Sequence, residues 1–272
     1  NSLYCCTPSI AIHVLSLRPY YHPMQSVIPA EEKEVTYTEF LPCEALRSFI
    51  YCYWELKSPP RNTPFCYRVV ADGCIDLFFD CNAPQMSSVM GYCNTYVEIP
   101  IMGAFHYVGV RFLPSAFPLL FGQDAFEISA QEIPLHEVVP ALATFIAQQL
   151  EVPLSLATIA QHLDNYFLRH LSQRPLQMDN RFFSALLQIL QSKGSIHISE
   201  LDTGISPRQL RRLFDYYIGD SPKTFSNIVR FQHILSAKTY HNHSFLDTYY
   251  DQAHFIKSFK TFYGDTPSKV LG

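Results

Sequence analysis

Short runs of β-branched and aromatic residues follow one another in the first half of the chain, and each run is bounded by turn residues. The runs are Cys66–Ala71, Cys74–Asp80, Met86–Met90, Tyr96–Met102 and Phe105–Leu113. Asp72 and Gly73 separate the first two, and this dipeptide supplies the positive φ that a tight turn requires. We therefore expect Cys66–Ala71 and Cys74–Asp80 to pair as a hairpin. Several short strands at this spacing predict a small barrel or sandwich.

The pattern changes to helical spacing near Pro114. Three helices are predicted there, at Ala116–Phe121, His136–Leu150 and Ser155–Leu171. In the last of them an apolar residue recurs every four positions, at Ile159, Leu163, Phe167 and Leu171. Such a stripe is typical of a domain core, and a contact between two copies of the chain is the alternative.

A polar stretch with a proline, at residues 173–180, divides the chain. The sequence after it has helical spacing throughout, starting with an apolar face at Phe182, Phe183 and Leu186 that Asp179 or Asn180 can cap. We thus predict an α+β protein. Residues 25–172 are expected to form a β-rich, barrel-like domain with flanking helices, 173–180 a linker, and 181–272 an all-α domain. Residues 1–24 are expected to be an N-terminal extension, with disorder and a start at Met24 as open alternatives.

Composition narrows the class of protein. Apolar residues make up 48% of the chain, and the longest apolar runs fall far short of the ~18 residues of a membrane span. Ile10–Leu17 contains His13 and has no Lys or Arg before it, which makes a poor signal peptide. The expected location is therefore the cytoplasm, with no membrane partner.

The net charge of −4 is unevenly distributed. From Pro175 onward the sequence has 11 Lys and Arg against 8 Asp and Glu, or +3; the preceding residues have 9 against 16, or −7, and the two sum to −4. A basic segment attached to an acidic body indicates a polyanionic partner.

All eight cysteines lie at or before Cys93, and no two of them form a CxxC pair. Reduced, half-buried thiols are the simplest interpretation in a cytoplasmic protein. The alternative is a thiol or metal sensor that acts through Cys66, Cys74, Cys81 or Cys93. The His residues show no zinc-ligand spacing relative to the cysteines, and we expect neither a metal nor a cofactor. Cys74, His106 and Asp76 could be imagined as an enzyme's nucleophile, base and orienting acid, but no motif places them together, so we expect no catalysis.

Two similar units occur in the C-terminal region, "GISPRQLRRLFDYYIGDSPKTF" at 204–225 and "YYDQAHFIKSFKTFYGDTPSKV" at 249–270. Each has a helix with bulky residues three and four positions apart, followed by Gly and then Ser or Thr before Pro. In the first unit Ser206 can cap the helix and Pro207 can occupy its first turn. Three arginines then lie opposite the apolar face, as a helix that reads the major groove requires. A solvated charged face on an ordinary helical domain is the alternative.

These motifs resemble the twin helix-turn-helix region of the AraC/XylS family of transcriptional regulators, from Gly204 to Val270. "RVVADGCIDLFFD", "VMGYCNTYVEIPI" and "VGVRFLPSAFPLLFG" resemble the N-terminal domain of one branch of that family. The resemblance implies a sensor or dimerisation domain at 25–172 and a DNA-binding domain at 181–272. It implies reading helices at Pro207–Phe214 and Gln252–Tyr263. The implied DNA contacts are Arg208, Gln209, Arg211, Arg212, Gln252, Ala253, Ile256 and Lys257.

The sequence also departs from the family pattern. The supporting helices before each reading helix are shorter than usual, and Thr248 stands where a glycine is usual. Marginal helices need packing to persist. We therefore expect Ser206–Phe214 to carry most of the DNA readout.

Four charged residues among aromatic neighbours form a second candidate site in the N-terminal domain: Arg68, Asp72, Asp76 and Arg111. They either orient a small ligand in a pocket or are structural, with Asp72 in a turn and Asp76 paired with Arg68 or Arg111. The sequence favours the second interpretation because it names no effector.

The resemblance implies a sequence-specific regulator, of the activator type, that couples a signal at the N-terminal domain to promoter binding. Its implied partner is double-stranded promoter DNA. RNA polymerase, an unidentified small-molecule effector and a second copy of the chain are the further partners that it allows.

Overall fold

A computed structural model describes residues 16–150, 154–173, 175–237 and 252–271. These residues form the α+β fold that the residue pattern predicts. The strands are β1 (Thr36–Phe40), β2 (Ile50–Ser58), β3 (Phe65–Val69), β4 (Ile75–Asp80), β5 (Ala83–Met90), β6 (Val97–Ile101), β7 (Phe105–Phe112) and β8 (Glu132–Pro134). The helices are α1 (Ala116–Phe121), α2 (Leu135–Val138), α3 (Pro140–Gln149), α4 (Leu156–Gln173), α5 (Asn180–Gln191), α6 (Pro207–Ile218), α7 (Pro222–Ala237), α8 (Gln252–Tyr263) and α9 (Pro267–Val270).

The strands form two antiparallel sheets. The larger sheet has the order β1-β2-β7-β4-β5-β8, and the smaller one pairs β3 with β6. The predicted hairpin of Cys66–Ala71 with Cys74–Asp80 is therefore wrong, because β3 and β4 lie in different sheets. Gly73 does adopt the expected positive φ, at 69°. The connection packs against α7, where the Phe225 ring would lie 2.9 Å from a Cβ at Gly73. The chain crosses here from the smaller sheet to the larger one.

The two faces of the larger sheet have different roles because side chains alternate along a strand. On β4, Ile75, Leu77 and Phe79 face the core that α1 to α4 cover. The residues between them face the smaller sheet instead. Aromatic and apolar residues of β2, β3 and β7 fill part of this second space: Cys52, Trp54, Leu56, Phe65, Tyr67 and Phe105. The N-terminal domain thus has three layers, with helices, the larger sheet and the smaller sheet in that order.

One predicted helix is divided in the structure, and the apolar stripe of another is buried as the sequence favours. The segment His136–Leu150 is divided into α2 and α3 at Pro140. Pro140 is the first residue of α3, and its nitrogen carries no hydrogen to donate to a helical hydrogen bond. The apolar stripe of α4 is buried in the core of its own domain. The alternative of a contact between two copies is therefore wrong for this stripe.

The C-terminal helices share a core with parts of the N-terminal domain. Asp179 caps α5 by accepting hydrogen bonds from the backbone of Arg181 and Phe182. Leu17 and Tyr21, from the predicted extension, are buried in this shared core, together with Val70 and other residues of the β3–β4 connection. The supporting segment with Thr248 lies outside the described residues. Within the described part of the chain, no helix has the length and apolar character to cross a membrane.

Candidate nucleic-acid interface and the cavity between the sheets

The first predicted reading helix, α6, has a defined signal at each end. The Ser206 hydroxyl accepts a hydrogen bond from the backbone N–H of Gln209 at 3.2 Å, and Pro207 is the first helical residue. Gly219 ends the helix in the left-handed conformation, with φ of 99°. The helix therefore starts where the sequence predicts and continues one turn beyond the predicted end.

The predicted contact residues of α6 all lie on its exposed face: Arg208, Gln209, Arg211 and Arg212. The opposite face is buried through Leu210, Phe214, Tyr217 and Ile218. The Arg211 Nε lies 2.8 Å from the Asp215 Oδ1. This pair is exposed and contributes little to stability, so the guanidinium can exchange it for another acceptor. The face is a row of accessible guanidinium groups on a capped helix whose other side is buried.

The second predicted reading helix, α8, has the predicted bounds. Phe255, Phe259 and Phe262 are buried. Gln252, Ala253 and Lys257 are exposed, whereas Ile256 is half-buried and packs against the shared core. Three of its four predicted contact residues are therefore accessible at the N-terminal half of the helix.

Helix α7 supports both reading helices. The Phe225 ring lies 6.1 Å from that of Phe214 on α6, and the Phe231 ring lies 5.3 Å from that of Phe259 on α8. Displacement of α7 would therefore move the packing surface of both helices.

The N-terminal domain binds the C-terminal ends of both reading helices through main-chain hydrogen bonds. The last four carbonyl groups of a helix have no partner within it. The Ala125 N–H donates to the Tyr216 carbonyl in the last turn of α6, at 2.9 Å. The Ala71 and Tyr96 N–H groups donate to the Phe262 and Thr261 carbonyls in the last turn of α8, at 3.1 and 3.2 Å. The predicted contact residues lie toward the other end of each helix and stay exposed.

A buried glutamine of α7 fixes the same interface from the side. Gln232 is 1% exposed. Its amide nitrogen donates to the carbonyls of Ala71, at 2.8 Å, and Met24, at 3.1 Å, and its amide oxygen accepts from the Met24 N–H at 2.7 Å. One side chain thus satisfies three main-chain groups, two of Met24 and one of Ala71.

A cavity of about 270 Å³ lies between the two sheets. Its aromatic walls are Trp54, Tyr67, Phe78 and Tyr107. Gly109 permits this arrangement, because the Trp54 indole lies where a side chain would stand, 2.2 Å from a Cβ at that position. The cavity therefore lies on the face of the larger sheet that the helices do not cover.

Arg111, Asp72 and Asp76 meet in the wall of this cavity. The buried Arg111 guanidinium donates to both carboxylate oxygens of Asp76, at 3.2 and 3.0 Å, and its Nε lies 3.4 Å from the Asp72 Oδ2. Trp54 Nε1 donates to Asp76 at 3.1 Å, and Gln25 Nε2 donates to Asp72 at 2.7 Å. Three of the four predicted residues of this site are therefore in contact.

Burial and charge oppose one another at this cluster. Burial raises the pKa of Asp76 to about 6, although Arg111 and the hydrogen bond from Trp54 lower it. Burial also raises the pKa of Asp72, against the influence of Arg111. The two carboxylates raise the pKa of Arg111 despite its burial. The Arg111 guanidinium stays charged. Because this one cation faces two carboxylates, Asp72 and Asp76, the cluster lacks a second positive charge.

Arg68 lies apart from this cluster. It pairs with Glu98 across the smaller sheet, with 2.7 Å between Nη2 and Oε1, and its guanidinium lies 5.7 Å from the ring centre of Tyr263 on α8. Arg68 belongs to the boundary between the domains, and Arg111 is the partner of Asp76.

Sequence reasoning missed Gln25, Trp54 and Gln232. A signal for Gln232 exists, because it continues the apolar spacing of Phe225, Ile228 and Val229 along α7, and a polar residue on such a face requires buried partners. Gln25 and Trp54 carry no comparable signal, since their roles depend on contacts between distant segments.

The cysteines of the proposed thiol sensor lie mostly in apolar surroundings. Cys74, Cys81 and Cys93 are buried, and Cys66 is exposed. Burial raises the pKa of the Cys81 and Cys93 thiols to about 12 and that of Cys74 also upward. The described residues contain no group of three or more His, Cys, Asp or Glu that could hold a metal ion. His106, the imagined base of the enzyme alternative, lies 2.8 Å from Glu55 through its Nε2.

Comparison with known proteins gives three matches. Residues 38–134 match a family described as a domain of unknown function, DUF6597. The chain is 27% identical over 187 residues to an uncharacterized HTH-type transcriptional regulator of Haemophilus influenzae. That match covers 61% of this chain and 60% of the relative, so the chain spans about three fifths of the relative's length. These two matches agree with the resemblance that the motifs indicate.

A solved structure, that of ToxT from Vibrio cholerae O395, is similar over 88% of this chain and 98% of its own, at 12% identity and a TM-score of 0.37.

Replacement of Gln232 by Ala should destabilise the protein, because Ala71 and Met24 would retain buried main-chain groups without partners. An unsatisfied buried group costs about 1–3 kcal/mol, which corresponds to a fall in Tm on the order of 5 °C for a chain of this size. Differential scanning fluorimetry measures the change. Gln191→Ala, at an exposed position of α5, is the control and should change Tm by less than about 1 °C. Equal Tm values for Gln232→Ala and the wild type would contradict the assigned role.

Alkylation of the native protein should reach Cys66 well before the buried thiols. Iodoacetamide attacks the thiolate, so we expect Cys81 and Cys93 to react at least about a hundredfold more slowly than Cys66. Mass spectrometry of the labelled peptides gives each rate, and labelling in denaturant is the control. Equal rates in the native protein would show that the buried thiols are reactive and would favour the sensor alternative.

Proposed function

We propose that this chain, whose motifs and matches are those of an AraC-like regulator, binds promoter DNA and regulates transcription through α6 and α8. The observation that carries the proposal is the exposed row of Arg208, Arg211 and Arg212 on a capped helix whose other face is buried. Similarity to an HTH-type regulator favours this function over catalysis. A regulator of this kind acts in the compartment that holds the DNA, which we take to be the cytoplasm.

The chemistry of the α6 face suits a DNA duplex. An α-helix fits the major groove, where an arginine can donate two hydrogen bonds to the O6 and N7 of guanine. The remaining arginines would contact phosphate groups and fix the register of the helix. Because α6 is packed through Leu210 and Phe214, the guanidinium groups start from a rigid base.

Helix α8 offers a different set of groups. Gln252 can pair with adenine in the major groove, and Ala253 can contact the methyl group of thymine. Lys257 supplies a positive charge for phosphate. With fewer cations on its contact face than α6, α8 is proposed to contribute less to affinity. Two further points stay predictions: that the chain self-associates, and that it activates transcription through contact with RNA polymerase.

Replacement of Arg211 and Arg212 by Ala tests the DNA interface. Each substitution should weaken binding to the duplex upstream of the chain's own gene by about 5- to 100-fold, which corresponds to ~1–3 kcal/mol per base contact. A substitution that removes a phosphate contact should lower the salt slope by about one. Fluorescence anisotropy at several salt concentrations measures both effects.

Lys33→Ala is the matched control, since it removes one exposed positive charge from the N-terminal domain and should leave affinity within about twofold. No salt-sensitive binding to any duplex, or wild-type affinity in the variant that lacks both arginines, would contradict the proposal.

We further propose that the N-terminal domain sets the orientation of the two reading helices, and that a signal acts by changing this docking. Three observations support it: the hydrogen bonds to the last turns of α6 and α8, the buried Gln232, and the position of Asp72 between the cavity and that interface. Gln25 bonds to Asp72 at 2.7 Å, and the adjacent Met24 bonds to Gln232. The cavity and α7 are thus linked by consecutive contacts. A signal that favours one arrangement would shift its population.

Replacement of Tyr96 by Ala tests the docking without removal of a core residue. The Tyr96 ring packs against Gly264 directly after α8, at 2.7 Å from the position of a Cβ there, and is 36% exposed. Loss of the ring should loosen α8, and DNA affinity should fall about 3- to 10-fold because the helix must then be ordered on binding. Tyr96→Phe keeps the ring and should match the wild type. Unchanged affinity in Tyr96→Ala would contradict the role of docking.

A further inference from the structure

The cavity between the sheets contains more acidic than basic groups. Its only positively charged lining residue among those described is Arg111, whereas Asp72, Asp76 and Glu132 all line it. Arg111 is already engaged by Asp76 and Asp72, and its remaining nitrogen faces Tyr37, at 3.5 Å, and Glu39, at 3.7 Å. A ligand carboxylate would therefore meet a guanidinium that two carboxylates already neutralise, and those carboxylates would repel it.

The walls of the cavity favour the opposite charge. Trp54 and Phe78 lie with ring centres 6.4 Å apart, and Phe78 and Tyr107 lie 6.3 Å apart in an edge-to-face arrangement. Aromatic faces attract cations, most strongly where water is excluded. A site that combines several such rings with an excess of carboxylate is complementary to an organic ammonium group.

Size and ligand chemistry restrict the occupant further. A volume of about 270 Å³ lies just below the ~300–1,000 Å³ of typical ligand pockets, which indicates a small molecule. No described cluster of His, Cys, Asp and Glu residues could hold a metal ion. The exposed Met102 and Glu132 form the rim, so the acidic side chain of Glu132 lies at the entrance.

We propose that the cavity binds a small aromatic or alkyl ammonium ion, with its positive charge toward Asp72 and Asp76 and its apolar part against Trp54 and Phe78. A bound cation supplies the second positive charge that the carboxylate pair lacks. Binding is a property of the N-terminal domain itself. Its role as the regulatory signal rests on the proposed function.

Tryptophan fluorescence gives a direct test, because Trp54 is the single tryptophan of the chain. The full chain is titrated without DNA with benzylammonium, benzyl alcohol and benzoate, which share one ring and differ in charge. Benzylammonium should change the fluorescence saturably and bind at least about tenfold more tightly than benzyl alcohol. Benzoate should not saturate. Equal affinity for the amine and the alcohol, tighter binding of benzoate, or no saturable change with benzylammonium would overturn the proposal.

A variant at the rim separates charge from folding. Glu132→Gln leaves the Arg111 cluster intact and should weaken benzylammonium binding about 3- to 10-fold without an effect on benzyl alcohol. Glu137→Gln, at an exposed position of α2, is the matched control and should bind like the wild type. Equal loss for amine and alcohol in Glu132→Gln would show that charge is not the basis of recognition. Because DNA is absent, failure here leaves the DNA-binding proposal standing, and loss of DNA binding leaves this result standing.

Discussion

The arrangement of this protein depends on the main-chain carbonyl groups at the ends of two helices. A helix leaves its last carbonyls without partners, and burial of such groups is costly. The N-terminal domain supplies the donors for α6 from Ala125 and for α8 from Ala71 and Tyr96. These donors belong to three separate segments of that domain, so both helices are held in one orientation. Since the bonds lie at the C-terminal turns, the arginine-bearing N-terminal half of α6 remains free for a partner.

The second feature that determines the arrangement of the protein is the alternation of side chains in the larger sheet. Ile75, Leu77 and Phe79 complete a core with the helices. Asp76 and Phe78, between them, necessarily face the smaller sheet, where Arg111 and Trp54 also lie. The same strand pattern that stabilises the domain thus produces a cavity with aromatic walls and an acidic excess. The cavity lies beside the β3–β4 connection. Gln25, which bonds to Asp72, and the adjacent Met24, which bonds to Gln232, therefore link the cavity wall to α7.

The sequence predicts local features well and long-range ones poorly. The bounds of α1 and α8 and the cap of α6 follow from apolar spacing, Ser206, Pro207 and terminal glycines, all of which act over a few residues. The hairpin across Gly73 fails because the turn residue specifies only a local conformation, whereas β3 pairs with β6 and β4 pairs with β5 and β7, which lie farther along the chain. Residue type alone groups Arg68 with Arg111, and only the register of β3 with β6 places Arg68 opposite Glu98. Interfaces that join residues more than a hundred positions apart, such as Gln232 with Met24, have no local signal for the partner.

Amide hydrogen exchange tests the central claim most directly, since that claim concerns particular N–H groups. The account predicts that the amides of Ala71, Tyr96 and Ala125 are protected in the free protein and stay protected when the duplex upstream of the gene is added. New protection on DNA binding should appear at the N-terminal half of α6, around Arg208 to Arg212. Exchange of the three docking amides at the rate of an unstructured chain, or DNA-dependent protection that avoids α6, would contradict the account.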